Sequence, residues 1–100
     1  MAKNKKIYFT LTGMNYFLGQ EFLEPGMKVK LKKEFDNQYD KEAILVLLDG
    51  LGPIGHVANS CNTVKGESFS AGRIYDLFKK KAEGKVVYML DYGAVCELKL

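Results

Sequence analysis

The sequence is poor in several residue types, and each shortage excludes a class of protein. It contains no tryptophan, two cysteines and one histidine, His56. Cys61 and Cys96 lie far apart and form no CxxC spacing, so the chain offers too few ligands for the four that a structural zinc site takes. No apolar run approaches the roughly 18 residues of a membrane span. We therefore expect neither a metal site nor a membrane segment.

Motifs of catalysis are also scarce. The chain has no P-loop, no nucleophile elbow and no pair of carboxylates in an evident pocket, so we expect no enzyme and no cofactor. Arg73 is the single arginine, which argues against a sequence code read through bidentate arginine–guanine contacts. A minor hydrolytic or nuclease activity, with Tyr39, Asp40 and His56 as an acid–base set, is the catalytic alternative.

The size and composition of the chain are those of one globular domain. It has 100 residues, of which 47% are hydrophobic and 27% charged, and a domain of this size buries about 65% of its unfolded surface. The net charge of +3 permits an anionic partner without requiring one. We predict a single domain over residues 1–100 with a basic N-terminal arm at 1–5. Because no signal peptide is recognisable, we expect a cytoplasmic protein.

Hydrophobic periodicity predicts a mostly β fold. The predicted strands cover residues 6–12, 27–34, 43–49, 54–57, 86–91 and 94–99. The second strand alternates strictly and places Lys28, Lys30 and Lys32 on its outer face. A helix is predicted over 71–82, capped by Ser70 and ended by Gly84, with Lys79 to Lys81 in its last turn. The expected fold is a small, partly open six-stranded barrel of OB-like or SH3-like type with a covering helix.

The segment 33–46 carries the most specific pattern. It reads Lys-Glu-Phe-Asp-Asn-Gln-Tyr-Asp-Lys-Glu-Ala-Ile-Leu-Val, which is a strand ending in Lys-Glu, an Asn-x-Tyr-Asp turn, and an Ala-Ile that opens the next strand. Gly-Met-Asn-Tyr at 13–16 and Ile-Gly-His-Val at 54–57 occur in matching order. Together these pieces resemble the signature of the HIRAN domain, and segment 70–76 is similar to small stand-alone bacterial members.

This resemblance implies a fold and a function. HIRAN domains are attached to eukaryotic DNA-repair translocases, and the one in the helicase-like transcription factor is an OB-like barrel that holds the 3′ end of single-stranded DNA. The resemblance thus implies binding of single-stranded DNA 3′ ends in repair or replication-fork processing, beside a helicase- or nuclease-type protein. Two positions depart from the pattern: Gln38 stands where the family usually has proline, and Asn15 where the DNA-binding eukaryotic member has arginine.

The nucleic-acid site that the resemblance implies consists of Asn15, Tyr16, Lys32, Asn37, Tyr39, Asp40 and His56. The two tyrosines either stack on bases or cover the ends of the barrel. Asn37 and Asp40 either hold their own turn or recognise the terminal sugar, where a carboxylate accepts a hydrogen bond from a 3′-hydroxyl. His56 is either structural or a donor to phosphate or sugar.

The lysines can also be interpreted in two ways. They either attract phosphates or protect an exposed edge strand against pairing with another chain. For the whole chain, the main alternative to a DNA-end module is a protein-interaction domain of the same fold that uses the aromatic loop at 13–22.

Overall fold

The computed structural model describes residues 6–13, 23–59, 68–91 and 93–100. These contain six strands, a short helix and a 3₁₀ turn: β1 (Tyr8–Thr12), β2 (Lys28–Lys33), β3 (Ile44–Leu48), β4 (Gly52–Val57), α1 (Ala71–Ile74), the 3₁₀ turn (Tyr75–Leu77), β5 (Lys81–Leu90) and β6 (Gly93–Lys99). The basic arm at 1–5, Asn15, Tyr16 and Cys61 lie outside the described residues.

The six strands form one closed antiparallel barrel in the order β1-β4-β3-β2-β5-β6, with β6 pairing back onto β1. This confirms the mostly β, six-stranded prediction, but the barrel is closed where the sequence indicated a partly open one. The reason is the length of β5. Its ten residues pair with β2 along their first half and with β6 from Glu83 onward, so a single strand bridges both sides of the expected opening.

The helix is much shorter than predicted. Ser70 caps it as expected, since its hydroxyl accepts from the backbone N–H of Arg73, but α1 and the 3₁₀ turn end at Leu77. Lys79 and Lys80 therefore do not lie in a last helical turn. Gly84, expected as the helix terminator, is an interior residue of β5 that packs so closely over Phe9 that a Cβ there would lie 3.1 Å from Phe9 Cε2. Strand pairing has overridden helical periodicity in this segment.

The alternation of exposed and buried residues in β2 is confirmed, and it extends to Lys33, one residue beyond the stretch in which lysines alternate with apolar residues. Val29 and Leu31 are buried while Lys28, Lys30 and Lys32 are exposed. Lys33 also points inward and is only 7% exposed. Its Nζ lies 4.1 Å from the ring centroid of Tyr75 and 5.1 Å from that of Phe78. These cation–π contacts hold the segment after α1 over one end of the barrel.

Strands β3 and β4 pair with one irregularity, and β6 carries a buried cysteine. The register of β3 and β4 shifts between Val46 and Leu47, opposite Gly55 and Pro53, which places a bulge-type irregularity beside Gly55. Cys96 is a free, fully buried thiol of the core, and burial raises its pKa to about 12. None of the helical segments in the described ranges is long and apolar enough to cross a membrane.

Candidate nucleic-acid interface

The loop 34–43, which joins β2 to β3, is built by side chains that hydrogen-bond their own backbone. Asn37 Oδ1 accepts from the N–H groups of Tyr39 and Asp40, both at 2.9 Å. Asp40 Oδ1 accepts from the N–H of Glu42 at 2.9 Å. These are Asx turns, so the turn-forming role of Asn37 and Asp40 is real. The loop is consequently a fixed frame for the residues it carries.

Two aromatic rings project from this frame into solvent. Tyr39 is 97% exposed and Phe35 is 66% exposed. Because Tyr39 is almost fully exposed, it does not cover the end of the barrel. Phe35 is not among the site residues that the sequence predicts, although it lies one residue beyond the predicted second strand, 27–34. The chain leaves the strand after Lys33, so the alternation no longer applies at Phe35; only its position within a polar turn signalled exposure.

Glu34 links the loop to β4. Its Oε1 lies 2.7 Å from His56 Nε2 and also accepts from Asn37 Nδ2 at 3.3 Å. The structure therefore places one ring nitrogen of the candidate histidine against a carboxylate of the protein. Glu34 was missed as a site residue because its partner His56 lies 22 positions away and the two meet only across β3.

A second carboxylate ties the loop to α1. Asn59 Nδ2 donates to Glu42 Oε1 at 3.2 Å, and Asn59 Oδ1 accepts from the N–H of Gly72 at 2.8 Å. A Cβ on Gly72 would lie only 2.6 Å from Glu42 Oε1, so a glycine is what allows this close approach. The loop is thus held at both of its ends, by Glu34 and by Glu42.

Lysines from distant parts of the chain meet beside this loop. In the β2–β5 register, Lys32 lies opposite Lys81 and Lys28 opposite Lys85. We call the outward side of these two strands the lysine face (Lys28, Lys30, Lys32, Lys81 and Lys85). Because β2 pairs with both β3 and β5, it is not an edge strand. The edge-protection reading of its lysines is therefore wrong.

Comparison with known families decides which family this arrangement belongs to. The model of the HIRAN domain matches residues 4–89, which is most of the chain. The chain is a HIRAN domain. HIRAN domains are a family of nucleic-acid-binding modules. No curated protein and no solved structure matches the chain.

The HIRAN match contains every candidate residue, and the structure brings the described ones together at the end of the barrel where β2 passes into β3. Asn37, Tyr39 and Asp40 lie on one loop, His56 reaches that loop through Glu34, and Lys32 lies two residues before Glu34. Strand β6, which closes the barrel, lies beyond the matched range.

The chemistry available at this HIRAN site is stacking, hydrogen bonding and charge. Within the ranges that the structure describes, no group of three or more histidine, cysteine, aspartate or glutamate side chains is placed to hold a metal ion. The exposed rings offer flat surfaces to bases, the carboxylate of Asp40 offers an acceptor to a hydroxyl, and Lys32 and Lys81 offer positive charge to phosphates.

Proposed function

We propose that this HIRAN domain binds the 3′ end of single-stranded DNA and acts as a non-catalytic module in DNA repair or replication-fork processing, beside a helicase- or nuclease-type protein. The observation that carries the proposal is the loop of Tyr39, whose ring is 97% exposed on a backbone fixed by Asx turns. Because these turns already order the backbone that carries the ring, stacking a base on it costs mainly the rotational freedom of the Tyr39 side chain.

Asp40 supports an end-binding mode over general affinity for DNA. Its carboxylate is partly exposed immediately after Tyr39. A carboxylate repels phosphate but accepts a hydrogen bond from a free hydroxyl. A terminal sugar with a 3′-hydroxyl satisfies this group, whereas a continuing strand brings a phosphate close to it. Lys32 and Lys81 supply attraction for phosphates further from the end.

The proposal is tested by titrating labelled single-stranded DNA with the full chain at several salt concentrations. We expect micromolar affinity at best and a log–log salt slope of about two to four, because only a few lysines are available to displace counterions. A peptide-binding domain that used the aromatic loop at 13–22, of which residues 14–22 lie outside the described ranges, would bind no DNA, and its affinity for an apolar ligand would hardly respond to salt. Absence of DNA binding at low salt would overturn the proposal.

Removal of the stacking surface should weaken this binding. Tyr39→Ala removes an aromatic platform, and base–aromatic stacking contributes about 1–3 kcal/mol, so the dissociation constant should rise about 5- to 150-fold. Phe35→Ala should act in the same direction. Tyr88→Ala is the matched control, since Tyr88 is an exposed tyrosine (51%) on β5, seven residues beyond Lys81 and so far from the loop. An equal loss in Tyr39→Ala and Tyr88→Ala would contradict stacking on the loop.

A further inference from the structure

The lysine face contains two like-charge pairs that the fold itself does not need. Lys28 and Lys85 are direct cross-strand partners, and so are Lys32 and Lys81. Residues directly opposite on one face of an antiparallel pair have Cβ atoms about 5 Å apart, and like charges at that distance oppose folding. Among the described residues, ion pairs involve Lys30 and Lys99 but none of these four lysines.

Protection of a sheet edge does not explain the lysines of β2 and β5. Lysines blunt sheet edges, but β2 and β5 each have a partner on both sides in the closed barrel. Two of the three carboxylates near the face are ion-paired with lysines outside the opposed pairs. Asp49 contacts Lys30 at 2.8 Å, which raises the pKa of Lys30, and Glu97 contacts Lys99 at 3.3 Å. Glu83 lies opposite Lys30 and Lys99, while Glu97 lies opposite Lys85.

The face is also concave. A groove of about 860 Å³ opens at the Lys32–Lys81 end of the face and does not reach Lys28 or Lys85. Its lining includes three lysines, two carboxylates and an apolar wall: Lys30, Lys32, Lys81, Asp49, Glu83, Leu47 and Leu51. Leu51 is 43% exposed. Positive side chains beside an apolar wall suit the two parts of a nucleotide, its phosphate and its base. The groove begins at Lys32 and Lys81, next to the loop that carries Phe35 and Tyr39.

We infer that the lysine face is a second contact surface for the same DNA strand, which leaves the loop at Lys32 and Lys81 and continues along the paired strands β2 and β5 towards Lys28 and Lys85. This inference rests on the proposed function. The two pairs lie four residues apart on β2, about 13 Å along the strand, so each pair meets different phosphates. Glu97 lies opposite Lys85 but is ion-paired with Lys99, so none of the four opposed lysines has an ion-pair partner among the described residues. The phosphate backbone supplies that counter-charge.

The test compares two double variants of the full chain on labelled single strands of about 5 and about 20 nucleotides, each with a free 3′-hydroxyl. K28Q/K85Q removes one opposed pair. K6Q/K99Q removes two exposed lysines that lie outside the lysine face and is the charge-matched control. On the long strand, K28Q/K85Q should bind about ten-fold more weakly, with a salt slope lower by about 1.4, while K6Q/K99Q changes both much less. The short strand should bind both variants like the wild type.

Stability provides an independent measurement on the same residues. Lys28→Glu places a carboxylate opposite Lys85, so the midpoint of urea unfolding should rise while long-strand affinity falls. If the two double variants lose long-strand affinity equally, or K28Q/K85Q loses none, the lysine face is not a binding surface and the proposed function is unaffected. If no strand of either length binds the wild type, the proposed function fails as well.

Discussion

Asp40→Asn is expected to abolish most of the preference of this domain for a free 3′-hydroxyl. In the wild type, a strand that ends in a 3′-hydroxyl should bind about ten- to a hundred-fold more tightly than one that ends in a 3′-phosphate, because hydrogen bonds to charged groups contribute about 1.5–3 kcal/mol. The terminal phosphate removes the donor and adds negative charge beside Asp40. The asparagine keeps a side-chain oxygen for the N–H of Glu42 but lacks the charge. Competition titrations with the two strands measure the preference.

This substitution separates the recognition role of Asp40 from its turn role. Asp40→Ala, which removes the acceptor for Glu42 as well, should lose the same preference and also destabilise the loop. In both variants the salt slope should stay near the wild-type value, since no phosphate contact is lost. Equal binding of the two strands by a folded wild-type protein would leave Asp40 with its turn role alone.

Gly93→Ala is expected to destabilise the fold more than any other glycine substitution considered. Gly93 opens β6 with φ +142°, and a Cβ there would lie 2.2 Å from the carbonyl oxygen of Leu11 on β1. The clash is with backbone at the seam that closes the barrel, where Leu11 pairs with Ala94, so no side chain can move to relieve it. We expect the free energy of unfolding to fall by more than about 4 kcal/mol, measured by urea unfolding or by loss of the folded far-UV spectrum.

Gly26→Ala is the matched control for this clash. Gly26 also has positive φ, +96°, but its missing Cβ would meet no atom within 4 Å. Its alanine variant should therefore lose only the backbone strain, about 1–2 kcal/mol. If the two alanine variants proved equally stable, the close contact across the β1–β6 seam would not exist as described.

The strands other than β5 were predictable because their signals are local; β5 was predicted only from residue 86, but it begins at Lys81. The alternation in β2 and the unbroken apolar run of β3 follow directly from which faces are buried, and both appear where expected. The C-terminal end of the helix could not be predicted from the sequence. Its apolar spacing extends to Phe78, but the pairing of Lys81 with Lys32 and of Gly84 with Val29 involves residues about fifty positions away, which no local pattern contains.

The candidate site was predictable in its loop and less so beyond it. The Asn37-to-Asp40 turn is encoded by side chains that bond their own backbone, so composition alone located it. The contact of Glu34 with His56 and the meeting of Lys32 with Lys81 depend on strand order in the barrel. Phe35 lies beyond both the predicted and the observed end of β2, and no local pattern specifies whether a ring in that turn packs inward or projects into solvent.

The most direct test of 3′-end recognition is whether binding requires a single strand with a free end. A linear single strand with a 3′-hydroxyl, the same strand closed into a covalent circle, and a blunt duplex of equal length should compete for the full chain at low salt. The linear strand should compete at least about ten-fold better than the circle, since only it offers a hydroxyl to Asp40 and a terminal base to Tyr39. The blunt duplex should also compete more weakly, because its terminal bases are paired and stacked. Equal competition by the linear strand and the circle would contradict 3′-end recognition by this domain.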